Sequence, residues 1–255
     1  MEATEKMKTL YLTLILIAAM LLPVAAAQAA DNQEAAATGG AVSDSTAEAQ
    51  PEDEAVIVDP FEPLNRVFFV FNDKLYFILL KPVSQVYGAL VPEWGRVRVR
   101  NVFTNAAMPV RFVNSLLQLK VHAAVKEVGR FVANSIGGVG GMFDVVGENP
   151  DAQPSEEDLG QTLGSYGIGD GFYIVWPVIG PSSFRDSVGL AGDFFLNPVN
   201  HITPAADYVA VRSGEHVNDT SLRIGEYEDF TESAVDPYVA MRDAYVQHRK
   251  SKVKE

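Results

Sequence analysis

The fold is decided by the stretch from Asp59 to Leu80, which reads DPFEPLNRVFFVFNDKLYFILL. Its first residues are typical of a helix start, because Asp59 suits an N-cap, Pro60 the first helical position and Glu62 the returning partner of a capping box. The sequence therefore predicts a helix over residues 60–80.

This helix has an unusually wide apolar face. With residues placed at 100° intervals, the polar side chains fall within an arc of roughly 120°. They are Glu62, Asn65, Arg66, Asn72 and Asp73. A lone membrane-spanning helix is disfavoured, since each charged group at mid-depth costs roughly 2.5–3.5 kcal/mol. Two arrangements stay open: burial in a globular core with a satisfied polar stripe, or lipid contact outside with the stripe facing a wet cavity.

The remaining periodic segments are also helical. Apolar periodicity predicts helices near residues 84–90, 96–105, 109–119, 121–135, 158–166, 181–196 and 205–211, and a last one that opens at Asp236. Only residues 172–176 have the character of a strand, and one strand cannot make a sheet. We therefore predict an all-α protein with one short hairpin-like extended segment.

The N-terminus has the three parts of an export signal. Lys6 and Lys8 precede an apolar run over residues 10–22, and Ala27-Gln-Ala29 matches an A-x-A cleavage pattern. We predict a signal peptide over residues 1–29, cleaved after Ala29. A retained membrane anchor is the alternative, although the run is short of the roughly 20 apolar residues that a spanning helix needs.

An acidic linker follows the signal. Residues 30–59 hold eight acidic residues, no Lys or Arg, and almost nothing large. Such a composition cannot bury enough surface to offset the entropy of ordering. Residues 30–58 are therefore predicted to be a disordered tether, which leaves one folded domain over residues 59–255.

Composition excludes several classes of partner and chemistry. The net charge is −13, and the chain from Pro60 onward carries 23 acidic against 18 basic residues. Nucleic acid is therefore not expected as a partner, because phosphate binding requires a concentrated basic face. The absence of cysteine removes disulfides, thiolate nucleophiles and thiolate zinc sites.

No motif supports catalysis, a cofactor or a metal. The glycine cluster at residues 137–141 lacks a dinucleotide fingerprint or Walker Lys-Ser/Thr, so Gly137 and Gly140 are interpreted as turn or hinge glycines. Leu163 stands where a hydrolase elbow needs glycine. The four histidines form no metal-binding or triad pattern. We predict a protein that is not an enzyme.

Two further segments have open interpretations. Five glycines between residues 160 and 171, among them Gly164, Gly167 and Gly169, fit either a plain loop before a hairpin or a hinged element with Tyr173 and Trp176 at an interface.

A basic cluster after Trp94 fits either headgroup contact or a solvated face. It consists of Arg96, Arg98, Arg100 and Arg111. The alternation over residues 96–100 also permits a short strand.

Taken in order, the segments resemble the MlaA/VacJ family. The matching blocks are Asp59-Pro-Phe-Glu-Pro-Leu-Asn-Arg66 with Lys81-Pro82, Arg130-Phe-Val-Ala-Asn-Ser135 with Asp144, Glu157-Asp-Leu-Gly-Gln-Thr-Leu-Gly-Ser-Tyr-Gly167 with Gly180-Pro-Ser182, and Asp236-Pro-Tyr238 with Arg242. The resemblance runs from about Asp59 to Tyr245 without large gaps, so its specificity is high.

The resemblance implies a ring of amphipathic helices around a central channel, at the periplasmic face of the outer membrane. It implies retrograde transport of phospholipids from the outer leaflet, with an outer-membrane trimeric porin and a soluble periplasmic lipid carrier as partners. The polar stripe then becomes a candidate channel lining, formed by Asn65, Arg66, Asn72 and Asp73. A non-catalytic envelope scaffold or adhesion protein associated with porins is the alternative.

The chain departs from the family pattern in one respect. Many family members are lipoproteins anchored through an N-terminal cysteine, whereas this sequence contains none. Retention at the membrane is then expected to depend on apolar helix surface, on the porin, or on an uncleaved signal.

Overall fold

The computed structural model describes residues 57–147, Asn149 and residues 153–254, all within one compact unit, Ile57–Glu255. The predicted signal peptide, its cleavage at Ala29, and the predicted linker up to residue 56 lie outside the described residues. Ile57 packs against a buried aromatic cluster, and the backbone N–H of Tyr173 donates to the carbonyl of Val58 at 2.9 Å. Ile57 and Val58, which the sequence assigns to the linker, therefore contact the folded domain.

The described chain is mostly helical, which confirms the predicted class. Its helices are α1 (Glu62–Leu75), α2 (Lys81–Leu90), α3 (Glu93–Ala106), α4 (Met108–Leu117), α5 (Val121–Ile136), α6 (Leu159–Ser165), α7 (Phe184–Leu196), α8 (Ala205–Leu222), α9 (Glu226–Ser233) and α10 (Pro237–Lys254). A π-turn, Tyr76–Leu80, and a 3-10 turn, Pro198–His201, complete the helical elements. Two strands, β1 (Tyr173–Trp176) and β2 (Gly180–Ser183), form one antiparallel hairpin.

Helices α1 and α2 are continuous through the π-turn. Within the turn the backbone N–H of Lys81 donates to the carbonyl of Tyr76, five residues back rather than four. Pro82 follows directly, and its ring would clash with the carbonyl of the preceding helical turn in a regular α-helix. The wider turn accommodates the proline without ending the helix, so the two helices predicted separately form one element.

Only one of the two Asp-Pro pairs predicted to begin a helix has its aspartate as the N-cap. Asp236 caps α10 by accepting from the backbone N–H groups of Tyr238 at 3.0 Å and Val239 at 3.1 Å. Asp59 does not cap α1, which begins at Glu62 without a side-chain cap. Its carboxylate instead accepts from Asn65 and from the Tyr238 hydroxyl. The predicted cap at Asp59 is therefore wrong, because tertiary donors occupy the carboxylate.

The hairpin-like segment is confirmed as a two-stranded hairpin, but its second strand lies where the sequence predicts a helix. Residues 181–196 were predicted as one helix, but β2 pairs Ser183 with Tyr173 and Gly180 with Trp176, and α7 begins only at Phe184. Ser183 fixes that start, since its side chain accepts from the backbone N–H of Asp186 at 3.1 Å. The residues of β2, Gly-Pro-Ser-Ser, carry no strand signal of their own.

Other differences concern the arginine-rich segment and the C-terminal half. Residues 96–100 lie inside α3, so the strand alternative is wrong. Helix α8 continues eleven residues past its predicted end at residue 211, and α9 was not predicted. The buried residues of α8 are Asn218 and Ser221, so apolar periodicity cannot reveal its packed face.

The packing brings the hairpin to the centre of the domain. Helix α1 contacts β1, α10 contacts β2 and α6, and α7 crosses α6. Buried Tyr173 and Val175 of the hairpin meet Tyr238 of α10. Elsewhere α8 lies against α2 and α3, and α4 lies against α5.

Candidate functional site

The distribution of polarity is inverted relative to a soluble protein. Among the described residues, five hydrophobic residues are buried, against seventeen that are polar or charged. Charged side chains are almost never fully buried in soluble proteins unless paired, and two paired ones are buried here: Glu127 is 0% exposed and Arg185 is 4% exposed. Beyond the small cluster around Tyr173 and Tyr238, the described interior is thus held mainly by polar contacts.

Large apolar side chains occupy the outside instead. On α1, the π-turn and α2 the exposed set consists of Leu64, Val70, Phe77, Ile78, Leu79, Val83, Val86 and Leu90. On α5 and the turn after it the exposed set consists of Val121, Val125, Val128, Val132, Ile136 and Val139. Contiguous exposed apolar surface of this kind marks contact with a protein or a membrane. Of the two arrangements left open for the first helix, exposure of the apolar flank is the one observed.

The length and composition of the helices decide whether one of them could cross a membrane. Within the part of the chain that the structure describes, no single helix is long and apolar enough to cross a membrane. One pair, Glu62–Leu90 followed by Glu93–Ala106, meets the length and composition requirement together but is bent by 117°.

Two asparagines of the predicted stripe hold the hairpin to α1. Asn65 donates to the carbonyl of Tyr173 at 3.1 Å and accepts from the backbone N–H of Val175 at 2.9 Å. Two helical turns later, Asn72 donates to the carbonyl of Trp176 at 2.9 Å and accepts from the backbone N–H of Val178 at 2.7 Å. Each amide thus pairs with the backbone as a neighbouring strand would. Asn65 is 1% exposed, whereas the contacts of Asn72 are open to solvent.

This difference in exposure gives a matched test. Asn65→Leu leaves a buried carbonyl and a buried N–H of β1 unpaired, and should lower the free energy of unfolding by about 3 kcal/mol. Asn72→Leu removes the same pair of contacts where water replaces them, and should cost about 1 kcal/mol or less. Urea unfolding in a mild detergent, followed by circular dichroism, measures both. Equal losses would show that the burial of the Asn65 clamp is not what stabilises the hairpin.

The other two residues of the stripe contact the C-terminal helices. Arg66 pairs with Asp236 at 3.0 Å and with Glu62 at 2.8 Å, and its guanidinium lies 4.4 Å from the ring centroid of Tyr238. Asp73 accepts from the hydroxyl of Tyr227 at 3.1 Å. The structure therefore brings the stripe against the hairpin, α9 and α10. The role of Asn65, Arg66, Asn72 and Asp73 as a channel lining stays a prediction.

Buried carboxylates form a further part of the polar interior, and no motif in the sequence indicates them. Glu127 pairs with Arg111 at 2.8 Å and accepts from the backbone N–H of Ser155 at 2.6 Å. Three residues after Ser155, Asp158 pairs with Arg249 at 2.6 Å, and the same guanidinium binds Asp186 at 2.9 Å. The sequence does carry one signal for Glu127, which is the one acidic residue of α5.

The pKa values of two largely buried carboxyls, Asp186 and Asp193, shift in opposite directions. Burial alone would raise the pKa of Asp186, but the hydrogen bonds from Arg249 and Tyr245 outweigh it and hold the pKa below its usual value. Burial dominates at Asp193 and raises its pKa, despite hydrogen bonds from the backbone of Leu159 and from Asn114. The Arg249 pairing therefore keeps a charge inside the domain.

The glycines proposed as turns or hinges lie in different settings. Gly137 follows α5 directly, and Gly140 has a φ of 71° in the turn after it. Gly167 has a φ of 85° just beyond α6, and Gly169 has open space around it. Gly164 lies inside α6, where an added Cβ would come 2.6 Å from Val253. Turn conformations are thus observed at Gly140 and Gly167, and hinge motion at any of the five stays a prediction.

The hairpin and the basic cluster also divide into buried and exposed members. Tyr173 is 2% exposed and belongs to the buried cluster, so the expectation of an interfacial position is wrong for this residue; Trp176 is 40% exposed. Arg96 donates to the carbonyl of Ser221 at 2.5 Å and Arg111 binds Glu127, so neither serves a free basic face. Arg98 instead stacks on two aromatic rings.

No group of three or more His, Cys, Asp or Glu side chains able to hold a metal occurs among the described residues. What the site offers chemically is a polar, charged interior and an apolar exterior within one small helical domain. Such an arrangement gives polar and apolar groups different surroundings within the same domain.

Comparison with known proteins agrees with this architecture. The family described as MlaA lipoprotein matches residues 57–252. The intermembrane phospholipid transport system lipoprotein MlaA of Escherichia coli is 32% identical over 192 residues, which is 74% of this chain and 76% of the relative. An uncharacterized protein of Rickettsia bellii is 33% identical over 199 residues, 77% of each chain.

A solved structure from work on the structural basis for maintenance of bacterial outer membrane lipid asymmetry has the same fold. It superimposes with a TM-score of 0.64 at 30% identity, over 76% of this chain and 98% of that one. The family match spans most of the chain, and the identity, coverage and fold agree with it. The chain therefore belongs to the MlaA family.

Proposed function

We propose that the protein removes mislocalised phospholipids from the outer leaflet of the outer membrane and passes them inward, which maintains lipid asymmetry. The observation that carries this proposal is the inverted polarity: polar and charged side chains are buried, while apolar side chains cover α1, α2 and α5. The names of the similar proteins, which describe intermembrane phospholipid transport and outer-membrane lipid asymmetry, support it.

In this proposal the apolar flank rests in acyl chains at the periplasmic face of the outer membrane. Ile78, Leu90 and Ile136 are 74%, 78% and 80% exposed, so each would lose much unfavourable contact with water on entering hydrocarbon. The export signal predicted at the N-terminus is consistent with this location.

The polar stripe would line one side of an amphipathic channel, so that a headgroup crosses without losing its polar contacts. Arg66, Asn72 and Asp73 would meet the headgroup, since their side chains are partly exposed. Asn65 is buried and would act by holding the hairpin in place. Gly137, Gly140, Gly164, Gly167 and Gly169 are the proposed hinge and turn positions around this passage.

Partners follow from the same proposal. A trimeric porin would steady the domain in the membrane through part of the exposed apolar surface, and a soluble periplasmic lipid carrier would receive the phospholipid. The protein breaks and forms no covalent bond, so the direction of transport is set by the carriers downstream. Purified protein incubated with phospholipid should release neither fatty acid nor lysolipid.

Deletion of the gene tests the proposal. We expect more phosphatidylethanolamine in the outer leaflet, because phospholipid that has reached the surface is no longer removed; labelling intact cells with an impermeant amine-reactive dye measures it. Sensitivity to detergent with a chelator should rise in parallel, and the intact gene supplied on a plasmid should reverse both. An unchanged outer leaflet in the deletion strain would contradict the proposal, and a porin scaffold would then be the better interpretation.

A further inference from the structure

An open groove lies between the start of α3 and the turn that follows α5. Its volume is roughly 620 Å³, within the range of about 300–1,000 Å³ that is usual for ligand pockets. Apolar side chains form much of its wall, among them Trp94, Val97, Phe143 and Val145. Trp94 and Phe143 are 64% and 43% exposed, so the walls of the groove present apolar surface.

One guanidinium lies against both of these rings. The Arg98 carbon Cζ is 4.4 Å from the ring centroid of Trp94 and 4.6 Å from that of Phe143. Within the residues that the structure describes, Arg98 makes neither an ion pair nor a hydrogen bond. Stacking fixes the plane of the guanidinium and leaves its N–H donors unused, which is the geometry that favours a bidentate phosphate contact.

The carboxylates of the groove are of two kinds. Asp144 is already engaged, since it accepts from Arg130 at 3.0 Å and from Asn134 at 2.9 Å. Glu93 is exposed and forms no ion pair within the described part of the chain. The groove therefore offers one unused cation, one unused anion and an apolar wall.

We propose that this groove binds a zwitterionic glycerophospholipid, with its phosphate on Arg98 and its ammonium toward Glu93. The acyl chains would lie along the walls formed by Trp94, Val97 and Phe143. Free phosphate shares the contact with Arg98 but makes no use of the apolar wall or of Glu93. The inference rests on the proposed function and deepens it by naming a headgroup site outside the polar stripe of α1.

Trp94 provides a reporter inside the groove. The chain has two tryptophans, so Trp176→Phe in the full-length protein leaves Trp94 as the single one. With the protein in a neutral maltoside detergent, titration with dihexanoyl phosphatidylethanolamine should give a saturable change in Trp94 fluorescence. Inorganic phosphate and added maltoside should give none at matched concentrations. An equal response to inorganic phosphate would show an anion site rather than a lipid site and overturn the assignment.

Substitutions in this background identify the contacts. Arg98→Gln should raise the Kd by about tenfold, the equivalent of one charge-assisted hydrogen bond, and Arg98→Lys should restore part of the affinity. Arg100→Gln removes the same charge from the same helix outside the groove and should leave the Kd within about twofold. Affinity unchanged by Arg98→Gln, or lowered equally by Arg100→Gln, would overturn the inference.

Glu93→Gln tests the second charge. It should weaken binding of dihexanoyl phosphatidylethanolamine but not of dihexanoyl phosphatidylglycerol, which lacks the ammonium. If Glu93→Gln leaves the ratio of the two Kd values unchanged, the assignment of a zwitterionic lipid is wrong.

The inference and the proposed function fail in different ways. If no lipid perturbs Trp94 while gene deletion still raises surface phospholipid, the groove is not a lipid site and the transport proposal stands. If lipid binds Trp94 in an Arg98-dependent manner but deletion leaves the outer leaflet unchanged, the site stands and transport does not.

Discussion

Arg249→Leu should lower the free energy of unfolding by about 3 kcal/mol, because it removes the cation that neutralises Asp186 inside the domain. Asp186 is 9% exposed, and Arg249 binds it through two nitrogens, at 2.9 and 3.0 Å. Arg185 and Tyr245 would remain as partners of Asp186, which keeps the loss at the lower end of the range for a broken buried pair. Asp158 contributes less, since its side chain is 35% exposed.

The pH dependence of this effect has a definite sign. Because the pKa of Asp186 is below its usual value of 3.8 in the folded protein, its stabilising contribution is complete above pH 3.8 and is lost as the pH falls through the folded pKa. In the variant, burial without Arg249 disfavours the charged carboxylate, so protonation relieves the penalty. The stability difference between wild type and variant should therefore narrow as the pH falls from 7 toward 3.

Urea unfolding in a mild detergent at several pH values measures this difference. Lys250→Leu is the matched control, since it removes the same charge from the next position of α10, and Lys250 forms no ion pair in the described part of the chain. The control should change stability by about 0.5 kcal/mol or less. A loss in Arg249→Leu that does not vary with pH would point to lost packing of the side chain instead.

Gly189→Ala should be the most damaging of the small substitutions, at about 3 kcal/mol or more, since it forces two backbones apart. An added Cβ at Gly189 would come 2.3 Å from the backbone nitrogen and 2.6 Å from the Cα of Gly160, where α7 crosses α6. Neither backbone can yield without moving a helix that carries the Arg249 contacts.

Gly192→Ala is the matched control on the same helix. Its Cβ would meet the side chain of Leu159, with Cδ2 at 2.2 Å and Cγ at 3.7 Å, and a leucine side chain can rotate away. Alanine also favours a helix over glycine by about 0.5–1 kcal/mol, so this variant should lie within about 1 kcal/mol of wild type. Thermal unfolding followed by circular dichroism compares the two. Similar losses of stability in both variants would show that the close contact between α6 and α7 is not the cause of the effect at Gly189.

How far the sequence predicts this fold is visible in the first helix. Its wide apolar face and narrow polar stripe follow from residue order alone, and the stripe is a coherent face in the structure. Periodicity defines the two faces but not which of them points inward, because that choice depends on whether the surroundings are water or hydrocarbon. The inward direction of Asn65 required the hairpin, which lies 108 residues along the chain.

The same ambiguity explains the segments that were missed. Apolar periodicity predicts the start of α8 but not its continuation to Leu222, because the buried residues of that part are Asn218 and Ser221. The strand β2 is specified by pairing with β1 rather than by its own residues. The segments at residues 59 and 236 both open with Asp-Pro, yet only Asp236 caps a helix, because long-range donors occupy the carboxylate of Asp59.

The inverted polarity has a consequence for which substitutions the protein tolerates. Liquid hydrocarbon has no fixed shape, so in the proposed setting an exposed valine of α5 can be exchanged for leucine, isoleucine or phenylalanine without leaving a cavity. An interior amide such as Asn65 has partners at fixed positions, and no other side chain of its size offers the same donor and acceptor. In related chains we therefore expect the exposed apolar positions to accept apolar residues of different sizes. The buried polar positions should keep the same residue type. This reverses the usual relation between core and surface.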